Sequence, residues 1–283
     1  MVNSPPENQG SGRKLFYGLF IFPLLIAAGM AVILCTVILL TREVETPESL
    51  ITAIKTGSPS KRWQKAFELS NELNQGRGLI RESGVMNEII HILNDRGEYD
   101  PKTRSYMAMA LAHFRDPQVV PALEKALDRE SDTEPRLYLM WALGIQGAKS
   151  SAARARRFLN NENEDLRKVA VYVMGVLGGK QDIDAIRPLL EDRSNDVRWN
   201  TALSLARLGS DAGYTVLQQM ADRHLLEAVG GLTEARIEEI MINALKGMSY
   251  LKHPDEKKIF ESLAKSDKSL KVRQSAIEIL KHF

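Results

Sequence analysis

The side chains that most often carry out catalysis are sparse and scattered in this sequence. Cys35, the single cysteine, lies inside an uncharged apolar run, so the rest of the chain has neither a thiolate nucleophile nor a disulfide. The signature motifs of serine hydrolases, zinc proteases and phosphate-binding loops are missing. Five histidines lie far apart, and none has a second ligand at metal-binding spacing: His91, His113, His224, His253 and His282. We therefore predict no catalytic residue, no bound metal and no cofactor.

Arginine, in contrast, recurs at nearly regular intervals along the chain. The two clearest copies of a repeat each read Asp, apolar residue, Arg and then an apolar stripe at helical spacing, and seven copies can be aligned on the arginine. The spacings between successive copies are 42, 32, 31, 31, 38 and 37 residues. This arginine series could form a binding stripe, or each member could pair with an acid at the turn of its repeat, as Arg198 could with Asp196 or with a neighbouring repeat. Its members are Arg62, Arg104, Arg136, Arg167, Arg198, Arg236 and Arg273.

The register of the arginine series predicts the elements that hold it. Eight residues after most of these arginines stands a small residue, such as Gly144, Gly175 or Ala206, which lets a neighbouring helix approach closely. Eleven residues after four of them stands a glycine, which is typical of a left-handed helix end. Proline after a polar residue marks helix starts. We predict an all-α solenoid of about seven helical hairpins, whose second helices cover 60–73, 102–115, 134–146, 165–177, 196–208, 234–250 and 270–282. The first helices are predicted at 47–56, 85–95, 117–129, 149–160, 182–192, 212–222 and 255–265, with longer loops at 75–84 and 225–233.

Large apolar and aromatic side chains recur one and five residues after the arginines. If the second helices line the concave face of the solenoid, these side chains form a stripe of the kind that anchors protein partners. Packing between repeats is the other explanation, and the solvent exposure of Trp63 and Trp199 distinguishes the two. The candidate partner-binding residues are Trp63, Phe67, Met109, Trp141, Tyr172, Trp199, Leu203 and Met241.

The repeat pattern resembles the HEAT-repeat family, in particular its short bacterial form that is also known from phycobilin lyases. The residues that carry the resemblance are Asp196-Val197-Arg198, Ala202, Ala206 and Leu208-Gly209. Matching residues in other repeats are Leu166-Arg167, Gly178 and Val272-Arg273. The resemblance extends over nearly all of residues 46–283. It implies that the recurring arginine belongs to the architecture of the fold, and it leaves the function open.

Solenoids of this family usually work as extended binding surfaces, so we expect a scaffold or adaptor for a protein partner rather than an enzyme. A lyase-type enzyme is one alternative, because the family includes such enzymes. A DNA-binding module is a less favoured alternative. The formal charge is +2, of which residues 1–14 and Arg42 each contribute +1, so residues 43–283 are neutral overall. A neutral domain lacks the basic footprint of a nucleic-acid binder, and we predict no nucleic-acid partner.

One segment near the N-terminus has the composition of a membrane span. Residues 15–40 form a run of 26 residues without a charge, whereas about 20 apolar helical residues cross a bilayer. The run is longer than the apolar core of a secretory signal and lacks a small-residue cleavage site, so we predict an uncleaved anchor in contact with the lipid bilayer. The predicted organisation is a disordered tail at 1–14, a transmembrane helix at 15–41 and the solenoid at 42–283.

The charges that flank the apolar run predict its orientation. Arg13 and Lys14 precede it, whereas Arg42 is followed by Glu43 and Glu45. Because cytoplasmic flanks carry the excess of lysine and arginine, this favours a cytoplasmic N-terminus and a solenoid on the far side. For a bacterial protein this predicts a single-pass inner-membrane protein with a periplasmic solenoid, working in an envelope complex.

Overall fold

The computed structural model describes residues 16–40, 46–75 and 83–282 and divides the chain into two compact units, 1–46 and 47–283. The predicted tail at 1–14 lies outside the described residues. In the first unit, a π-helical turn at Tyr17–Ile21 leads into α1 (Phe22–Leu40). The amide of Phe22 donates to the carbonyl of Tyr17, five residues back. This wider turn directly precedes Pro23, whose ring would crowd a regular α-helical turn.

The described part of the second unit consists of seven helical hairpins, which confirms the predicted all-α solenoid. The first three pair α2 (Pro47–Thr56) with α3 (Pro59–Asn74), α4 (Ser83–Asn94) with α5 (Pro101–Leu111), and α6 (Val119–Arg129) with α7 (Thr133–Gln146). The next two pair α8 (Ala152–Arg156) with α9 (Glu164–Leu177), and α10 (Ile183–Ile186) with α11 (Asn195–Arg207). The sixth pairs α12 (Tyr214–Ala221) with α14 (Glu234–Leu251), with the short α13 (Arg223–Glu227) between them, and the seventh pairs α15 (Glu256–Ser266) with α16 (Leu270–Leu280).

The second helices match their predicted ranges closely, but three first helices are broken. The ranges 149–160 and 182–192 contain only the short α8 and α10, flanked by 3₁₀ turns at Lys149–Ser151, Lys180–Asp182 and Arg187–Glu191. Another 3₁₀ turn, Asp211–Gly213, precedes α12. The predicted loop at 225–233 was wrong in its first part, because Leu225–Glu227 belong to α13.

Each second helix packs against the next one along the chain, from α3 to α16, and this row is closer packed than the row of first helices. The approach is tightest between α9 and α11. A Cβ atom added to Gly175 would lie 2.5 Å from Cβ and 2.8 Å from Cα of Ser204. The hydroxyl of Ser204 also donates to the carbonyl of Val171 at 3.0 Å. The predicted role of small residues eight positions after the arginine is therefore confirmed at this joint.

The predicted glycine helix ends are only partly confirmed. Gly147 and Gly209 adopt left-handed φ angles of 67° and 78° at the ends of their helices. Gly178 has a φ of −74°, so its helix ends without a left-handed residue. Gly247 is buried inside α14, where its missing side chain leaves room for Leu203 and Leu217. That helix continues to Lys252, which takes the left-handed conformation in its place.

The arginine series fastens the two helices of a hairpin together. Five of the seven guanidinium groups donate to a backbone carbonyl five or six residues earlier, in the segment that joins the first helix to the second. Carbonyls at this point have no partner within the helix, so the arginine satisfies a group that would otherwise need water. The bonds run from Arg62 to Gly57 at 2.8 Å, Arg136 to Glu130 at 2.8 Å, Arg167 to Asn161 at 2.7 Å, Arg198 to Asp192 at 2.6 Å and Arg273 to Asp267 at 2.6 Å.

Several arginines of the series also form ion pairs with the following repeat. Arg167 binds both carboxylate oxygens of Asp192, at 2.7 and 2.9 Å, and these hydrogen bonds hold the pKa of that carboxyl below its usual range. Arg104 is buried and contacts Glu130 at 2.6 Å. The suggested pair of Arg198 with Asp196 was wrong: Asp196 accepts from Arg236 at 2.8 Å, because Arg198 is bound to the carbonyl of Asp192.

The last hairpin contains a buried carboxyl group. Glu256, at the start of α15, is fully buried, and neither of its oxygens has a hydrogen-bond partner among the described residues. Burial raises the pKa of Glu256 to about 7, against a smaller opposing effect of His253. The imidazole of His253 in turn stacks on the ring of Tyr214 from the preceding repeat, with centroids 4.3 Å apart.

The close joint at Gly175 gives a direct test of the packing. We expect Gly175→Ala to lower the free energy of unfolding by about 1–3 kcal/mol, because the new methyl group must push α9 and α11 apart. Gly144→Ala is the matched control, since its Cβ would meet Val173 at an ordinary 3.5 Å. Thermal unfolding of the full chain in detergent measures both variants. Equal stability of the two variants would contradict the close approach.

The buried arginine gives a second test. We expect Arg104→Met to destabilise the protein by about 3–5 kcal/mol, because it leaves the Glu130 carboxylate buried without its partner. Arg96 also approaches Glu130, at 3.8 Å, but is 44% exposed, so Arg96→Met should cost less than about 1 kcal/mol. Chemical denaturation monitored by circular dichroism compares the two. A similar loss of unfolding free energy in both variants would mean that the buried Arg104–Glu130 pair stabilises the fold no more than an exposed contact does.

The buried carboxyl predicts a pH dependence. Because the pKa of Glu256 is higher in the folded protein than its ordinary value of 4.5, the folded state holds the proton more tightly. Stability of the last hairpin should therefore fall as pH rises from 4.5 through 7. Glu256→Gln should raise stability at pH 8 by about 1–3 kcal/mol and change little at pH 4.5. The exposed Glu261→Gln on the same helix is the control, and hydrogen exchange of α15 and α16 is the measurement. If Glu256→Gln is no more stable than the parent at pH 8, the buried carboxylate of Glu256 does not destabilise the last hairpin.

Candidate functional site

A row of aromatic rings crosses the surface formed by the second helices. The ring of Phe67 on α3 lies 5.3 Å from that of Tyr106 on α5, which lies 5.9 Å from that of Tyr138 on α7. Three residues further along α7, on the same face, Trp141 stacks on Tyr172 of α9 with centroids 4.7 Å apart and ring planes 12° apart. We call these five residues the aromatic line. It joins four consecutive repeats.

Two members of the aromatic line are open to solvent, and the other three are partly open. Phe67 is 44% exposed and Trp141 is 40% exposed, whereas Tyr106, Tyr138 and Tyr172 are half-buried. Burial raises the pKa of Tyr106 and Tyr138, with a smaller contribution from the charge of Glu134, so both phenols are uncharged at neutral pH. Their rings therefore present apolar faces with hydroxyl groups that donate or accept hydrogen bonds.

Two aliphatic side chains and one cation extend the surface beyond Trp141 and Tyr172. Ile145, one turn after Trp141, is 47% exposed, and Val176, one turn after Tyr172, is 41% exposed. The guanidinium of Arg207 on α11 lies over the ring of Tyr172, 5.2 Å from its centroid. Aromatic and arginine side chains of this kind contribute most of the binding energy at protein interfaces.

The structure separates the eight candidate partner-binding residues into three groups. Phe67, Trp141 and Tyr172 belong to the aromatic line. Trp63, Met109 and Leu203 are half-buried, and the Nζ atom of Lys102 lies 3.5 Å from the centroid of the Trp63 ring.

The third group does not reach the surface. Trp199 is only 9% exposed, and Met241 is fully buried in the same hydrophobic cluster. For these two residues the prediction of a surface role was wrong, because α11 and α14 enclose them in the core between repeats five and six. Packing between repeats, the other explanation of the stripe, is therefore correct for this part of the chain.

Other members of the surface were missed in the sequence. Tyr106 and Tyr138 lie two residues after their arginines, a position that was not aligned. Ile145, Val176 and Arg207 lie nine residues after theirs, one helical turn beyond the fifth position. Extending the stripe by four residues along each second helix would have found the last three, because positions four apart share a helix face.

A groove in the last two hairpins contains several charged side chains. This open groove of about 790 Å³ lies between α12, α13 and α15. Its main cation, Arg223, is bound to Asp267 at 2.7 Å and to Glu234 at 2.6 Å, so its charge is already neutralised within the protein. Among residues 16–40, 46–75 and 83–282, no three His, Cys, Asp or Glu side chains are grouped so that they could hold a metal ion.

Solved structures similar to this chain are helical repeat proteins. The complex of CpcE and CpcF of phycocyanin lyase from Nostoc sp. PCC7120 has a TM-score of 0.55 and 18% identity, with 86% of this chain and 96% of that chain covered. The HEAT-like repeats protein of the archaeon Thermococcus onnurineus NA1 has a TM-score of 0.41 and 15% identity, with 85% and 97% covered. At these identities the likeness concerns the fold alone. No curated protein sequence matches the chain.

A family model confirms the repeat assignment from the sequence side. The model for HEAT repeats matches residues 86–172 and 154–229, which together cover residues 86–229, or 144 of the 283 residues. The matched region includes the second helices from α5 to α11, on which most of the aromatic line lies. The chain therefore belongs to the family of HEAT-repeat proteins.

Proposed function

We propose that this protein is a membrane-anchored scaffold that binds a protein partner through the aromatic line. The observation that carries the proposal is the stacked pair of Trp141 and Tyr172, half open to solvent and bordered by the exposed Ile145 and Val176. Exposed side chains of this size cost free energy in water unless a partner covers them. They also lie on neighbouring rigid helices, so a partner would meet a surface that is already ordered.

The arginine series supports the same assignment by elimination. Its guanidinium groups are occupied by backbone carbonyls and carboxylates of the protein itself, as at Arg167 and Arg198. Guanidinium groups held in this way are less available to a phosphate backbone or another large anion. A nucleic-acid function finds no support in these contacts, and a binding function for the protein rests on the aromatic line.

The anchor is the second part of the proposal. Tyr17–Val37 is long and apolar enough to cross a membrane, and none of it is buried within the protein. We propose residues 15–41 as a single uncleaved span after a short tail at 1–14, with the solenoid at 42–283. The flanking Arg13 and Lys14 favour a cytoplasmic N-terminus, which in a bacterial inner membrane leaves the solenoid in the periplasm. Tethering to a surface raises the local concentration of the solenoid, so a partner in the same membrane needs only moderate affinity.

The proposal predicts which substitutions remove a partner. In the full chain in native membranes, Trp141→Ala and Tyr172→Ala should each weaken capture by a proximity crosslinker by at least about tenfold, since aromatic anchors contribute about 2 kcal/mol or more each. Tyr250→Ala is the matched control, because Tyr250 is 55% exposed but lies outside the aromatic line. Unchanged capture in both line variants would refute the binding surface.

The same experiment tests the orientation. A crosslinker that cannot cross the inner membrane, applied to cells with a permeabilised outer membrane, should capture the same partner as a membrane-permeant one. Capture by the permeant reagent alone would place the solenoid in the cytoplasm. It would overturn the periplasmic assignment without affecting the binding surface.

A further inference from the structure

Arg207 differs from the other arginines of the second helices. Each of the seven arginines in the series donates at least one hydrogen bond to a carbonyl or carboxylate of the protein. Arg207 lies outside that series and donates none to any described residue, although it is exposed. It is therefore the one arginine on the second helices that has no hydrogen-bond acceptor within the described part of the protein.

The guanidinium of Arg207 is nevertheless held in place. Its Cζ atom lies 5.2 Å from the centroid of the Tyr172 ring, and Tyr172 is stacked on Trp141, so the three side chains connect α11, α9 and α7. The guanidinium N–H groups donate to no described residue and remain available. An arginine ordered in this way loses little side-chain entropy when it binds a carboxylate through two parallel hydrogen bonds.

The surroundings of Arg207 define the rest of the ligand. Val176 and Ile145, both exposed, belong to the two helices that precede α11 in the row. Leu203, one turn before Arg207, is half-buried and packs against the hydrophobic cluster of the last repeats. A group that binds the guanidinium therefore has an apolar surface at its side. Burial and, to a smaller extent, the charge of Glu134 raise the pKa of Tyr106 and Tyr138, and both of these rings lie in the part of the aromatic line that precedes Trp141.

We propose that Arg207 and the Trp141–Tyr172 stack bind a protein segment in which a carboxylate stands next to an apolar side chain. The carboxylate, from Asp, Glu or a chain terminus, pairs with Arg207, and the apolar side chain covers Val176 and Ile145. This assignment rests on the proposed function and specifies the chemistry of its partner. The charge complementarity is local, because the solenoid as a whole is neutral.

The test uses a photo-crosslinking amino acid at position 176 of the full chain in native membranes, with the captured peptides sequenced by mass spectrometry. We expect an Asp, a Glu or a chain terminus within a few residues of the captured site. Arg207→Glu should reduce the yield about tenfold or more, since a charge-assisted pair is replaced by repulsion, and Arg207→Lys should retain part of it. Arg156→Glu, an exposed arginine on the first helix α8, is the control and should leave the yield unchanged.

Three results would overturn the proposal. One is a protein adduct whose yield is the same in Arg207→Glu, which would leave the aromatic line as a binding surface but remove the role of the cation. Another is an adduct with lipid instead of protein, which would mean that Arg207 holds a headgroup phosphate. The third is the absence of any protein adduct from position 176, which would refute the proposed function as well.

Discussion

The hydrogen bond from a second-helix arginine to the carbonyl at the end of its first helix is the contact on which this solenoid depends. A short helix ends with carbonyl groups that have no partner, and a hairpin brings those groups close to the start of the next helix. An arginine at that point satisfies the carbonyl and fixes the angle between the two helices. Where the same guanidinium also reaches an acid of the following repeat, as Arg167 reaches Asp192, one side chain sets both the hairpin and the stacking of hairpins.

Because the arginines of the series are engaged at the turns, other residues form the exposed surface of the second helices. The arginines of the series form hydrogen bonds where the two helices of a hairpin meet. The small residues lie where neighbouring second helices pack closely, as at Gly175 and Ser204. Positions beside these contacts hold the aromatic line. Tyr106, Tyr138 and Tyr172 pack partly against the core, whereas Phe67 and Trp141 leave more than a third of their surface open to solvent.

Local features of the sequence determine much of the fold. The arginine register and the polar residue before proline locate the second helices within a few residues, because both are properties of one helix start. The first helices of repeats four to six could not be predicted equally well, since their breaks at Ala152 and Ile183 depend on how they lie against the longer second helices. The solvent exposure of the aromatic residues was even harder to predict from the sequence. Trp199 lies one residue after its arginine and Trp141 five residues after its own, so both fall on the predicted stripe, yet the first is 9% exposed and the second 40% exposed, a difference that the spacing does not reveal.

The core of the solenoid is not one body. Leu205 of α11 belongs to a hydrophobic cluster that extends back to the first hairpin, whereas Trp199 of the same helix belongs to a cluster that extends to the last. Because repeats interact mainly with their neighbours, each cluster can melt as a cooperative unit of its own. A ligand that covers α7 and α9 would stabilise the cluster that contains Leu205 by mass action and add nothing to the cluster that contains Trp199. Ligand binding would then increase the difference in melting temperature between the two clusters, which meet at α11.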